Sequence, residues 1–124
     1  MCTSFIKKSS GKTYIGMNFD ISPRPIPVTL KKGSQLIVSQ QQGGRLLPSF
    51  GINRSGAFMN QLMVEPCPSG MYRRTKDAVH LTWIFNQILD GSLDISGLHE
   101  LMVDKAVVNP PGFSLHSLIT DYHG

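Results

Sequence analysis

Cys2-Thr3-Ser4-Phe5-Ile6-Lys7-Lys8-Ser9-Ser10-Gly11-Lys12-Thr13-Tyr14-Ile15-Gly16-Met17-Asn18-Phe19-Asp20 is the stretch whose reading decides the fold. Thr3 to Lys8 and Lys12 to Asn18 are rich in β-branched and aromatic residues, and Ser9-Ser10-Gly11 between them has turn chemistry. The stretch therefore predicts a β-hairpin. It is followed by Ser22-Pro23-Arg24-Pro25-Ile26-Pro27, which is excluded from a central strand because three prolines cannot donate to a ladder.

Further along, short strands are expected at Val28 to Lys31, Gln35 to Ser39 and Arg45 to Phe50. A turn at Gly51-Ile52-Asn53-Arg54-Ser55-Gly56 leads into a strand over Ala57 to Val64, and Glu65 to Tyr72 reads as a loop. The second half then turns helical. Leu81, Ile84, Phe85 and Ile88 fall at i, i+3, i+4 and i+7, one apolar stripe that stops before Gly91. Asp94 is the expected N-cap of a second helix whose buried face is Ile95, Leu98, Leu101 and Met102. After Asn109-Pro110-Pro111-Gly112 a last strand is expected over Leu115 to Tyr122. Strands, two helices and a closing strand describe an α+β layered domain. The closing strand reads as the first arm of a hairpin without its partner. The chain is thus expected to be either a single domain over 1–124 or the N-terminal part of a larger one.

Composition bounds the function. With 124 residues, 40% hydrophobic and 16% charged, the chain is of globular type and long enough to bury a core. Lys and Arg number 12 against 8 for Asp and Glu, a net charge of +4, but the cations are scattered over three predicted turns without interleaved aromatics. A solvated surface explains them better than a nucleic-acid patch. No secretory signal, membrane span or myristoylation motif is recognisable. Cys2 and Cys67 do not make a disulfide framework or a zinc site, and the four histidines have no ligand spacing, so no metal and no cofactor are expected. A reducing cytoplasmic setting is the default reading.

Cys2 has a particular chemical opportunity. Removal of Met1 would leave it as the first residue, with a free α-amine beside the thiol. That amine has an ordinary pKa of roughly 7.7 to 8.0 and can serve as general base. One residue then supplies both nucleophile and base. The plainer reading of Cys2 is a half-buried cysteine in a first strand, and that of Asp20 is a turn residue capping Ser22 or its neighbours. Cys67, in a proline-rich loop, reads as an incidental thiol. Phe58 and Met63, with the loop from Pro66 to Tyr72, are candidates for the wall of an acyl pocket, against the simpler reading of methionines as core filler.

Several of these segments together resemble the choloylglycine hydrolase family, which includes bile salt hydrolases and penicillin V acylases. They are Met-Cys-Thr-Ser at the start, Tyr14-Ile15-Gly16-Met17-Asn18-Phe19-Asp20 on the second strand, and Gly51-Ile52-Asn53-Arg54-Ser55-Gly56. The helix around Trp83-Ile84-Phe85 and the strand Leu115-His116-Ser117-Leu118-Ile119-Thr120-Asp121 complete the set.

The resemblance implies an N-terminal-nucleophile hydrolase of linear, non-peptide amide bonds, on an αββα sandwich of which this chain would be the N-terminal part. By it Cys2 is the nucleophile, Asp20 holds the α-amine, and Asn18 supports the turn geometry near the substrate. The family arginine falls on Met17. The oxyanion asparagine of bile salt hydrolases falls near Met63, with Asn60 and Gln61 close by, and two later family residues would lie beyond Gly124. The implied partner is a small N-acylated molecule such as penicillin V, a conjugated bile acid or an N-acyl amino acid. The alternative is a truncated, inactive relative that self-associates.

Overall fold

The computed structural model describes residues 2–123. Its first two strands, β1 (Thr3–Ser9) and β2 (Lys12–Asn18), form the expected antiparallel hairpin, with Thr3 opposite Asn18 and Ser9 opposite Lys12. The two turn residues are Ser10 and Gly11, at φ 53° and 71°. Both lie in the left-handed region, which matches a two-residue turn to the right-handed twist of the flanking strands.

Next come β3 (Val28–Lys31), β4 (Gln35–Gln42), β5 (Arg45–Asn53), β6 (Phe58–Asn60) and β7 (Leu62–Met63). They are followed by β8 (Ala78–His80), α1 (Leu81–Asp90), α2 (Ile95–Asp104), β9 (Ala106–Val108), β10 (Leu115–His116) and β11 (Ile119–Thr120). The main sheet has five antiparallel strands in the order β11-β6-β5-β4-β3. Smaller two-stranded pairings join β10 to β7, antiparallel, and β8 to β9, parallel. The fold is α+β, as the sequence suggests.

The proline stretch lies where its chemistry permits. Its carbonyls at Pro25 and Pro27 accept hydrogen bonds from the backbone N–H groups of Gln41 and Ser39, continuing the line of β3 along β4. A strip that can accept but hardly donate is suited to a sheet edge. Pro48 would be out of place inside β5 but for a bulge. Val38 pairs with Phe50 while Ser39 pairs with Pro48, so Ser49 is the extra residue. The bulge places Pro48 where a lost ladder bond is tolerated.

The helix α1 lies on the sheet with Leu81, Ile84, Phe85, Ile88 and Leu89 buried. Together with Met59, Val79 and Leu98 they form the core. Each such side chain contributes about 1.5–3 kcal/mol on burial. Gly51 in β5 allows the close approach, because a Cβ there would collide with Leu89 and crowd Phe85. Gly91 ends α1 at φ 83°, and its N–H and that of Ser92 return to carbonyls of the last turn. Asp94 caps α2 as expected, its side chain accepting from Gly97 N at 2.7 Å.

Asn53 locks sheet to helix. Its Nδ2 donates to the carbonyls of Ile88 and Leu89, and its Oδ1 accepts from Ala57 N at 2.9 Å. Gly51, Ile52 and Asn53, expected in a turn, are instead the last residues of β5, and Asn53 joins that end to the C-terminal turn of α1.

Three further expectations are corrected. The strand expected over Ala57 to Val64 is broken at Gln61, whose N–H turns to Ser49 O at 2.7 Å. The strand expected over Leu115 to Tyr122 is broken in register with it. Asn60 bridges the breaks, its N–H donating to Leu118 O and its Oδ1 accepting from Leu118 N at 2.7 Å. β10 and β11 each pair on one side, with β7 and β6, and β11 is an edge strand of the main sheet. Met102 is 52% exposed rather than buried, because α2 enters the core through Leu98 and leaves an open groove beside Met102.

Candidate active site

The hairpin register brings the two ends of the quoted stretch together. Cys2 immediately precedes Thr3, which faces Asn18, and Asp20 lies two residues further on. Side chains alternate along each strand. Cys2, Ser4 and Ile6 therefore share a face with Thr13, Ile15 and Met17, and all six are half-buried. The opposite face carries Thr3, Phe5 and Tyr14, which are exposed. Phe5 covers Gly16, its cross-strand partner, so closely that any Cβ at Gly16 would collide with the ring.

Met17 lies on the face of Cys2, diagonal to it across Ser4. A thioether there can pack but offers no charge. Asn18, opposite Thr3, is exposed on the other face, at the end of the hairpin away from its turn. The hairpin lysines cannot substitute for the missing cation. Lys7, the nearest of them along the chain, is five residues from Cys2, about 17 Å at the rise of an extended strand. That is roughly twice the screening length at physiological salt.

Asp20 is exposed and engaged. Its carboxyl is held below the ordinary carboxylate value, first by a hydrogen bond from the chain's α-amine and then by that amine's charge, against a smaller desolvation. The amine that the resemblance pairs with Asp20 is that of Cys2 once Met1 is removed. Met1 itself lies outside the described residues.

Comparison of the chain with protein-family models, curated proteins and solved structures found no match. What a site here can do follows from its own chemistry.

Phe19, between Asn18 and Asp20, anchors this end of the hairpin to the main sheet. Its ring stacks on Phe50 at 6.0 Å between centroids, and Phe50 meets Phe58 at 6.0 Å. Thr13 Oγ1 also donates to Tyr122 O at 3.4 Å. Phe58 is buried at 3% exposure, so it serves the aromatic stack that supports the Asp20 end. Met63 has different surroundings. It is half-buried in β7 and lines a cavity of about 190 Å³. The two residues expected to share an acyl pocket thus have distinct roles in the packing.

Asn60 is fully buried with its Oδ1 committed to Leu118, and its Nδ2 has no hydrogen-bond partner among the described residues. Gln61 Nε2, Gln40 Oε1 and Ser49 Oγ are also buried without partners. The sequence reading noted Asn60 and Gln61 but missed Gln40 and Ser49. The available signal for Gln40 was its two-residue phase with Val38, since both are buried in β4. Nothing in the sequence marks the bulge that isolates Ser49.

Among the described residues no group of three or more His, Cys, Asp or Glu is placed to hold a metal ion. Cys67 is exposed, its N–H donating to Ser114 Oγ at 3.1 Å. His80 stands at the N-cap position of α1, beside the Tyr72 ring. Among the described residues no helix is long and apolar enough to cross a membrane.

Proposed function

We propose that the chain is an N-terminal-nucleophile hydrolase of linear, non-peptide amide bonds in small N-acylated molecules, with Cys2 as nucleophile. The observation that carries this reading is the hairpin register, which brings Cys2 and Asp20 to one end of the β1–β2 pair, where the N-terminal amine also lowers the pKa of the Asp20 carboxyl. Removal of Met1 leaves the α-amine on Cys2, which immediately precedes β1. The neutral amine then takes the thiol proton as sulfur attacks the amide carbonyl. The C–N bond breaks, the leaving amine takes up the proton, and a thioester remains. Water, deprotonated by the same α-amine, hydrolyses the thioester and returns the thiol. Asp20 orients the amine throughout and favours its protonated form between transfers. An αββα sandwich is the corresponding architecture, with the five-stranded sheet and α1 as one half.

Met17 limits the rate in this reading, because it offers no charge beside Cys2 and Lys8, the hairpin lysine on that face, pairs with Thr13 far along the strand. A missing oxyanion donor would cost a further ~2.7–4 kcal/mol of transition-state stabilisation. These two considerations favour one alternative: a folded relative without activity that associates with itself through edge strand β3, where Val28 and Leu30 are 64% and 68% exposed.

The two readings separate in one assay. Protein shown by intact mass to lack Met1 is incubated with penicillin V, glycine- and taurine-conjugated bile acids and N-acyl amino acids. Hydrolysis of at least one, lost by about 10³-fold or more in Cys2→Ala, is expected for the enzyme. Background rates with all of them, together with a dimer in size-exclusion chromatography, favour the inactive relative. Activity that survives Cys2→Ala contradicts the mechanism.

A further inference from the structure

The 66–72 loop and the 110–114 segment enclose a groove of about 510 Å³, walled by Pro66, Pro68, Met71, Tyr72, Pro110 and Phe113. A space of that size suits a small molecule. The two walls are tied to each other. Ser114 Oγ accepts from Cys67 N at 3.1 Å, Ser114 O accepts from Val64 N at 3.0 Å, and Gly70 O accepts from Asn109 N at 2.8 Å. The prolines also fix φ along both walls. The groove is therefore formed before anything enters it, which lowers the ordering cost of binding. Cys2, Asp20, Phe58 and Met63 do not line it, so what it binds is independent of the proposed hydrolysis.

The lining is mostly apolar and contains no charged side chain, but a cation stands against one wall. Arg74 Nε donates to the Tyr72 hydroxyl, and its guanidinium lies 5.9 Å from the centroid of that ring. The hydroxyl accepts this bond and keeps its own proton to donate. Arg73 differs, being paired with Asp77 at 3.8 Å. From Glu65 to Asp77, Arg73, Arg74 and Lys76 outnumber the two carboxylates. Lys105 adds to them, its Nζ donating to Lys76 O at 2.8 Å. The Tyr72 end of an apolar groove is thus positive. A molecule that is apolar along its length and negative at one end complements both features, and a cationic head would meet like charge.

We propose that this groove binds a small amphiphilic monocarboxylate. The apolar tail lies against Met71 and Phe113 between the prolines. The carboxylate stays at the rim, accepting from the Arg74 guanidinium and the Tyr72 hydroxyl.

Cys67 lines the groove and is exposed, so its alkylation reports occupancy. The full chain is treated with iodoacetamide in rising concentrations of octanoate, 1-octanol or octyltrimethylammonium. Modification of Cys67 and of Cys2 is read separately by peptide mass spectrometry. Octanoate is expected to protect Cys67 saturably, with half-protection at about fivefold lower concentration than octanol, an effect of the size an exposed charge pair supplies. The ammonium should protect least. The preference for octanoate over octanol should shrink in about 1 M salt, which screens the head group. Arg74→Gln, at an exposed position, should abolish that preference and leave octanol unchanged. Met71→Ser, at 63% exposure, should weaken both. The proposal is overturned if Cys67 gains no protection, if octanol protects as well as octanoate, if Arg74→Gln keeps the preference, or if only Cys2 is protected. A Cys67 already unreactive in a chain that elutes as a dimer would give the groove to a second copy and overturn it equally.

Discussion

The hairpin of β1 and β2 and the sheet beneath α1 are organised in opposite ways. The hairpin is local in sequence, and it exposes Phe5 at 58% and Tyr14 at 51%. It meets the main sheet through Phe19 on Phe50 and through Thr13 on Tyr122. By contrast, the sheet is assembled from segments far apart in the chain, and it buries Met59 and Ile84 completely. An isolated hairpin is marginally stable in water, whereas a helix on a five-stranded sheet supplies an independent core. Stability therefore resides mainly in the sheet, while the proposed reaction resides in the hairpin. Substitutions should separate the two.

The largest effect on stability is expected at Phe85, which is buried under the sheet and has no role in the proposed chemistry. Phe85→Ala should cost about 3–5 kcal/mol in urea denaturation. A cost below ~1 kcal/mol would mean that the core is not closed around α1. Gly51→Val should follow, at about 1–3 kcal/mol, because its new side chain meets Leu89 and Phe85 where the helix approaches most closely. Compensation by Leu89→Ala would sharpen that assignment, since it clears the nearest obstacle.

Asp20→Asn acts in the hairpin and should leave the urea midpoint nearly unchanged. Its signature lies in the pH dependence of hydrolysis. The folded carboxylate has a pKa below the ordinary 3.8, so its hold on the amine is present above that value. The hold is lost as pH falls through the lowered pKa. In the range where the amine acts as base, the negative charge keeps a proton on it. Removing that charge should move the alkaline rise in rate to lower pH, while the maximal rate falls about tenfold or more. Superimposable profiles would remove Asp20 from the mechanism. The smallest effect is expected for Phe5→Ala, on the exposed face of the hairpin, at about 0.2–1 kcal/mol with the hydrolytic rate retained.

The same division explains what was legible in the sequence. The hairpin, the Asp94 cap and the Gly91 stop are set by neighbouring residues, and each is found where the local pattern placed it. The breaks at Gln61 and after His116 have no local signal. They arise because Asn60 reaches across to Leu118, far along the chain. Likewise the parallel pairing of β8 with β9, the bulge at Ser49 and the exposure of Met102 depend on what lies across the fold. At the candidate site, the pairing of Cys2 with Asp20 came from the family resemblance, and the hairpin register puts the two at one end. Gln40 and the cavity could not be, since their meaning comes from the segments that close over them.

The central claim is that Cys2, once exposed at the N-terminus, forms a thioester with an amide substrate. The direct test is intact-protein and peptide mass spectrometry after rapid acid quench of the reaction with whichever amide the assay shows to be hydrolysed. Cys67 serves as an internal control, because it is exposed and has no expected role. The account predicts a chain lacking Met1, with one acyl group located on Cys2 and none on Cys67. An acyl group on Cys67, or hydrolysis by a chain that retains Met1, would contradict it.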